Sequence, residues 1–195
     1  DAVNHQGTFF NVTEARPTAR PYQKPYPTIW LAAMSNPAIR RVAQEGHVPF
    51  IGPAQPLETV KRQVDLYNET ITRHGHVRPK DMVIVREFFC SGSRNEALNK
   101  AREGILKKYE VYSDHGLHGS DDELTSKVTG DLEGLIDDTF ILGGPDECIK
   151  QIAQYRALGF TQVCLRLFYP LMSQQDVLNH INLVGKEVLP ALHAL

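Results

Sequence analysis

Cysteine is scarce in this chain: Cys90, Cys148 and Cys164 are the three among 195 residues, and no two stand in a CxxC pair. An odd, scattered set in apolar or helical contexts excludes a disulfide framework, and the thiols are expected reduced, as small buried hydrophobes and not nucleophiles. Long apolar runs are missing as well. None approaches the roughly 18 residues that span a bilayer, and the start DAVNHQGTFF has neither the basic residues nor the apolar stretch of a signal peptide. A cytoplasmic protein with no membrane partner is expected. Charge of one sign is also lacking: 21 Lys and Arg stand against 23 Asp and Glu, for a net charge of -2. No basic field is available to concentrate nucleic acid. No GxGxxG follows any apolar run, which argues against a dinucleotide-binding Rossmann domain. Metal-ligand spacing is not found either. His74 and His76 form an HxH before Pro79, His115 and His118 lie in a polar stretch, and the Asp121, Asp122, Glu123 cluster lacks the calcium-loop pattern, so no metal is expected.

What is present is a globular composition, 42% hydrophobic and 23% charged, in a chain long enough for one well-buried core. It opens on Asp1, in the middle of what reads as a loop and hairpin, and a truncated or processed piece is the expectation. Residues 1–27 carry Pro17, Pro21, Pro25 and Pro27 between short aromatic runs, so this segment is expected as an extended strap. TIWLAAM, residues 28–34, then has strand length and is followed by Ser35, Asn36 and Pro37, a helix start. Ile39, Val42 and Ala43 recur at helical spacing up to Gly46.

The unit repeats. VPFI (48–51) leads through Gly52, Pro53 and Pro56 into a helix over about 57–74 with Val60, Val64, Leu66, Tyr67 and Ile71 on one face. MVIVREFF (82–89) ends at Ser91, Gly92 and Ser93 and leads into a helix over about 94–112. Residues 113–130 are polar, without period, and are expected to form a mobile lid. A short extended TFIL (139–142) precedes Gly143, Gly144 and Pro145 and a helix facing inward through Cys148, Ile149, Ile152 and Tyr155, closed by Gly159. QVCLRLF (162–168) is the last strand, and a terminal amphipathic helix carries Val177, Ile181, Val184, Val188 and Leu189.

Strands buried on both faces and alternating with helices predict an α/β fold with a parallel sheet and right-handed crossovers. A complete (β/α)8 TIM barrel takes about 250 residues, so four barrel-type strands amount to about half of one, in a single domain over 1–195. An open doubly wound sheet satisfies the same periodicity.

Residues 20–46, RPYQKPYPTIWLAAMSNPAIRRVAQEG, resemble the central signature of the bacterial luciferase-like flavin monooxygenases. That signature is a Pro-rich strap, an apolar strand, a Ser-containing turn and a helix ending in Ala-x-x-Gly. Residues 140–168, FILGGPDECIKQIAQYRALGFTQVCLRLF, are similar to the family's Gly-x-Pro-Glu helix start, Leu-Gly close and final barrel strand, with Asp146 in place of Glu. KEVLPAL, residues 186–192, is similar to its closing helix. The resemblance covers the chain from about residue 7 to its end and implies the C-terminal half of a barrel that binds FMN, or in relatives the deazaflavin F420, at the C-terminal ends of its strands. It further implies that reduced FMN and O2 oxidise a small organic substrate, with a flavin reductase as a possible partner and a homo-oligomer as the expected assembly.

The cofactor site is where residue chemistry and resemblance meet. The turn Met34, Ser35, Asn36 and the following Ala38 stand where a strand ends and a helix begins, so amides and the positive helix end offer themselves to a phosphate. Ser35 matches the family's phosphate-contacting hydroxyl, while Met34 replaces an acidic residue of relatives such as luciferase. Ser35 or Asn36 also reads simply as a helix cap. Ile51, Gly52 and Phe88, with Phe89, Phe168 and Tyr169, end other strands and are candidates to flank the flavin ring. Arg86 and Arg166 lie within strands, where each charge must be paired or face the barrel mouth. No catalytic residue is assigned. Three other readings stay open: an F420-dependent hydride transferase, a sugar-phosphate barrel enzyme, and a catalytically inert half-barrel that pairs through its sheet edges.

Overall fold

A computed structural model describes residues 2–115, 130–136 and 138–194. The chain begins with an antiparallel hairpin, β1 (Val3–Gln6) and β2 (Asn11–Ala15), closed where the Gly7 amide donates to the Phe10 carbonyl at 3.1 Å. The prolines expected to make residues 1–27 an uninterrupted strap all follow this hairpin, so they do not prevent its pairing.

The body is parallel. β3 (Trp30–Ala33) pairs with β4 (Val48–Ile51), β4 with β5 (Val83–Cys90), and β5 with β7 (Gln162–Arg166). A short β6 (Ile141–Gly143) pairs with the last three residues of β5, beyond Ile84, its last partner in β4. Helices α1 (Asn36–Gln44), α2 (Leu57–Arg73), α3 (Arg94–Asp114), α4 (Pro145–Ala157) and α5 (Gln174–Leu183) connect or follow the strands. A π-helical turn, Val184–Val188, joins α5 to α6 (Leu189–Ala194). β3, β4, β5 and β7, each running the same way and alternating with helices, form the parallel partial barrel that the periodicity foretold. The stretch expected as a lid lies largely, over 116–129, outside the described residues, and Ser113 and Asp114 belong to α3.

Burial follows strand alternation. Ala33, Ile51, Ile84 and Phe88 point into one core with Ile39 and Val42 of α1, Val60 and Tyr67 of α2 and Ile152 of α4. The other face of β5 carries Glu87 and Phe89, and there α3 packs, through Ala97, Ala101, Ile105 and Tyr109. β5 is therefore buried at every position, while β3 and β7, each paired along one edge among the described residues, are half-exposed. The outer strands are also shorter than their apolar runs, because a strand end with no neighbour has no ladder to join.

The last helix departs from the amphipathic pattern. Val184 and Val188 are buried as expected, but Ile181 and Leu189 are 46% and 41% exposed, and His180 takes the inward place at 3%. The π-turn shifts the helix phase between these positions.

Candidate active-site rim

The C-terminal ends of the parallel strands lie along one side of the sheet, where a β/α barrel keeps its chemistry. Ser35, extended at φ −119°, caps α1, and its Oγ accepts from the Ala38 amide at 3.4 Å. Pro37 has no N–H, and the Ile39 amide is bound to the Ser35 carbonyl. The turn thus offers the Asn36 amide, the Ser35 hydroxyl and the loosely held Ala38 amide, a narrower cradle than a generic helix start. What sets α1 apart is its charge. Its first turn holds no acidic residue, whereas those of α2, α3, α4 and α5 hold Glu58, Glu96, Asp146 with Glu147, and Asp176. In α3 and α4 these carboxylates take up free amides: Glu96 accepts from Gly92 at 3.1 Å and Glu147 from Gly144 at 2.8 Å. At α1 the positive end is left for another anion, with Arg40 and Arg41 exposed on the same helix.

The turn is held from beneath. Gln63 of α2, 2% exposed, donates to the Met34 carbonyl at 3.1 Å. The Met34 side chain is 44% exposed and lies over Gly52, where an added Cβ would stand 3.0 Å from its Cγ. A Cβ at Gly52 would press on that side chain, so the glycine leaves room for Met34 to lie across the end of β4. The Gly52 carbonyl accepts from Arg86 Nη1 at 3.0 Å.

The other sequence-derived candidates divide. Ile51 and Phe88 are 1% and 0% exposed and point to the helices, so their side chains belong to the core. Phe88 stacks on His180 with centroids 5.8 Å apart, and its amide donates to the Tyr169 hydroxyl at 2.8 Å. Phe89 and Tyr169 are packed under α3, while Phe168 is 62% exposed just past the end of β7. Arg86 faces the helix side and not the mouth, its guanidinium 4.6 Å from the Tyr155 ring centre, and burial lowers its pKa. Arg166 does face the mouth side.

There the structure adds a residue that the sequence did not single out. Glu87, fully buried, accepts from Lys108 Nζ at 2.6 and 2.7 Å and from Arg166 Nη1 at 3.0 Å, with the Tyr109 hydroxyl at 3.4 Å. One carboxylate between two cations is a compensated buried charge, with a net positive edge toward the mouth. Burial lowers the pKa of Lys108, an effect the Glu87 carboxylate opposes. The only sign in sequence was a charged pair, Arg86 and Glu87, inside an apolar strand. His180 is the second such residue: its Nε2 accepts from the Cys90 amide at 2.9 Å and its Nδ1 lies 3.1 Å from the Leu167 carbonyl. Away from the rim, His74 and His76 each direct a ring nitrogen at a carbonyl, Thr70 and Gln44. Among the described residues no group of three metal-ligating side chains forms, and no helix is long and apolar enough to cross a membrane.

Comparison with known proteins gives the chain a family. A family model described as luciferase-like monooxygenase matches residues 1–162. 3,6-diketocamphane 1,6-monooxygenase of Pseudomonas putida is 24% identical over 171 residues, covering 81% of this chain and 44% of that protein. Among solved structures, a type II Baeyer–Villiger monooxygenase, the oxygenating constituent of 3,6-diketocamphane monooxygenase from P. putida in complex with FMN, superposes with a TM-score of 0.73 at 20% identity, over 98% of this chain and 58% of that one. An F420-dependent secondary alcohol dehydrogenase in complex with an F420–acetone adduct gives 0.72 at 17%, over 98% and 56%. The chain thus spans about half the length of the relatives it matches. With more than half of its residues matched by that model and its parallel strands and helices arranged as in these structures, the chain belongs to the luciferase-like monooxygenase family.

Proposed function

We propose that this chain forms the C-terminal half of a flavin-dependent monooxygenase and holds the phosphate of FMN at the start of α1. The observation that carries this reading is the charge of the α1 N-terminus. Of α1 to α5 among the described residues, it is the helix whose first turn has no carboxylate, and it presents the Ser35 hydroxyl and the Asn36 amide at the end of a barrel strand. Met34 and Gly52 shape the adjoining surface, and Ala38 contributes its amide. When bound, the flavin supplies the redox chemistry: in its reduced form it activates O2 toward a small organic substrate. The residues of this chain bind and orient it. α3, held over the upper part of β5 by Glu87 and Lys108, keeps water from that side of the rim.

F420 is the second reading, and the likeness to an F420-dependent dehydrogenase favours keeping it. Titration of the purified chain with FMN and with F420, followed by flavin fluorescence, separates the two. Ser35→Asp places a carboxylate on the cradle, where it repels phosphate and competes for the same amides. Its expected effect is a loss of flavin affinity of about tenfold or more, equivalent to roughly 1.4 kcal/mol. Affinity unchanged in that variant sinks the assignment.

A further inference from the structure

We infer that Cys90 and Cys148 form a redox-active pair, a modification site at which hydrogen peroxide converts two thiols into one disulfide. Taken singly, each reads as an inert buried thiol, and nothing in their spacing pairs them. The sheet brings them together. β6 lies parallel to the end of β5 with Gly143 opposite Cys90, and the Gly143 carbonyl accepts from the Ser91 amide at 3.1 Å. α4 begins at Pro145 and turns Cys148 inward near its start, where the Cys148 amide donates to the Gly144 carbonyl at 3.0 Å. Cys90 shares the helix-side face of β5 with Phe88, past the residues of β5 that pair with β4 and β7. Both cysteines therefore enter one buried cluster, at 2% and 0% exposure. There the thiols meet, with the Cys148 S–H donating to the Cys90 sulfur.

The two thiols are unequal, and the inequality assigns their roles. Their contact lowers the pKa of Cys90, against burial and the Glu187 carboxylate, while the Cys148 thiol, which supplies the proton, is pushed up. Cys90 is the nucleophile and Cys148 the resolving thiol. The Cys90 thiolate attacks one peroxide oxygen and the O–O bond breaks. The departing hydroxide takes up the proton that Cys90 gave up and leaves as water, with Cys90 now a sulfenic acid. The Cys148 sulfur then attacks the Cys90 sulfur, the S–O bond breaks, and the Cys148 proton departs with that hydroxide as a second water. The thiols together lose two electrons and two protons, and the peroxide is reduced to two waters. Peroxide reaches Cys90 through a cleft of about 90 Å³, which Ser91 and His180 also line and whose outer walls are the exposed Lys100, Asp176 and Asn179. The bond ties the end of β5 to the start of α4. Just beyond these points Gly92 and Ser93 face Gly144 and Pro145 across a cleft of about 450 Å³, so oxidation fixes the spacing of its walls.

Peptide mapping tests the pair directly. The folded protein is treated with hydrogen peroxide, the remaining thiols are alkylated after denaturation, and the digest is read by mass spectrometry without reduction. A linked peptide joining Cys90 to Cys148 is expected, with Cys164 alkylated, a loss of two hydrogens in intact mass, and both thiols regained with dithiothreitol. Cys164→Ser should leave the linkage unchanged. Cys148→Ser removes the resolving thiol, so the linked peptide is lost and Cys90 should take up dimedone, a reagent for sulfenic acids, where the wild type does not. The wild-type map needs no variant to fold. Three alkylated cysteines after peroxide, a bond to Cys164, or sulfinic acid at Cys90 with no linked peptide overturns the proposal, and so does a Cys148→Ser protein whose Cys90 stays unlabelled. Flavin takes no part in these measurements, so the Ser35 assignment stands or falls apart from them.

Discussion

A single imidazole joins three elements of this molecule. His180, 3% exposed on α5, accepts from the amide at the end of β5 and engages the Leu167 carbonyl beyond β7, with the Phe89 ring 4.2 Å away. Both nitrogens are used in the neutral ring, and burial lowers its pKa from 6.5. The unfolded chain therefore binds the proton more tightly than the folded one. Stability is complete above the ordinary imidazole pKa, declines as pH falls below about 6.5, and stops declining once the folded ring itself is protonated. His180→Phe fills the same space but leaves a buried amide and carbonyl unpaired. It should cost on the order of 2–4 kcal/mol in urea unfolding at neutral pH, with a smaller further loss than wild type on acidification. Equal stability of the two proteins would contradict the role given to the ring. Ser35 was legible because a cap at a strand end is a local pattern. Glu87 and His180 were not, since their partners stand 21, 79 and 90 residues away in sequence.

Among the elements, α3 shows how a correct boundary can leave the environment undecided. Its apolar positions Ala97, Ala101, Ile105 and Tyr109 describe an amphipathic helix, but spacing does not say against which face of the sheet it lies. Contact decides it. An added Cβ on Gly104 would stand 2.5 Å from the Pro170 carbonyl and 2.8 Å from Tyr169 Cβ, so the helix backbone sits directly on the segment after β7. Gly104→Ala should gain the usual helix propensity of alanine and still destabilise the protein by about 1–3 kcal/mol, because backbone must move. Thermal unfolding reads the sign, and a stabilised variant would show that α3 does not dock this closely. The terminal helix makes the same point: Val184 and Val188 were placed correctly, whereas Val177 is only half-buried and Ile181 and Leu189 are exposed, and a 3.6-residue pattern carries no mark of the π-turn over Val184–Val188.

Across the whole molecule the sheet is built around β5, which is covered on both faces and flanked by three strands. Opening its amides requires most of the core to open, whereas β3 and β7, each paired along one edge among the described residues, can fray more readily. Native-state hydrogen exchange should find the slowest amides in Val83–Cys90 and faster ones in Trp30–Ala33 and Gln162–Arg166. Comparable protection in all three would contradict the central place given to β5.

By itself the sequence determined the strands and most helices of the sheet, its parallel sense, the family likeness and the Ser35 turn. Each of these is written in short-range periodicity, in turn residues or in motifs that a contiguous stretch contains. Tertiary structure alone decided that Ile51 and Phe88 face helices, that Glu87 is neutralised by two cations, and that α3 lies opposite α1, α2 and α4. The reason is that side-chain direction and charge compensation depend on which distant segments meet, and a linear pattern does not carry that information.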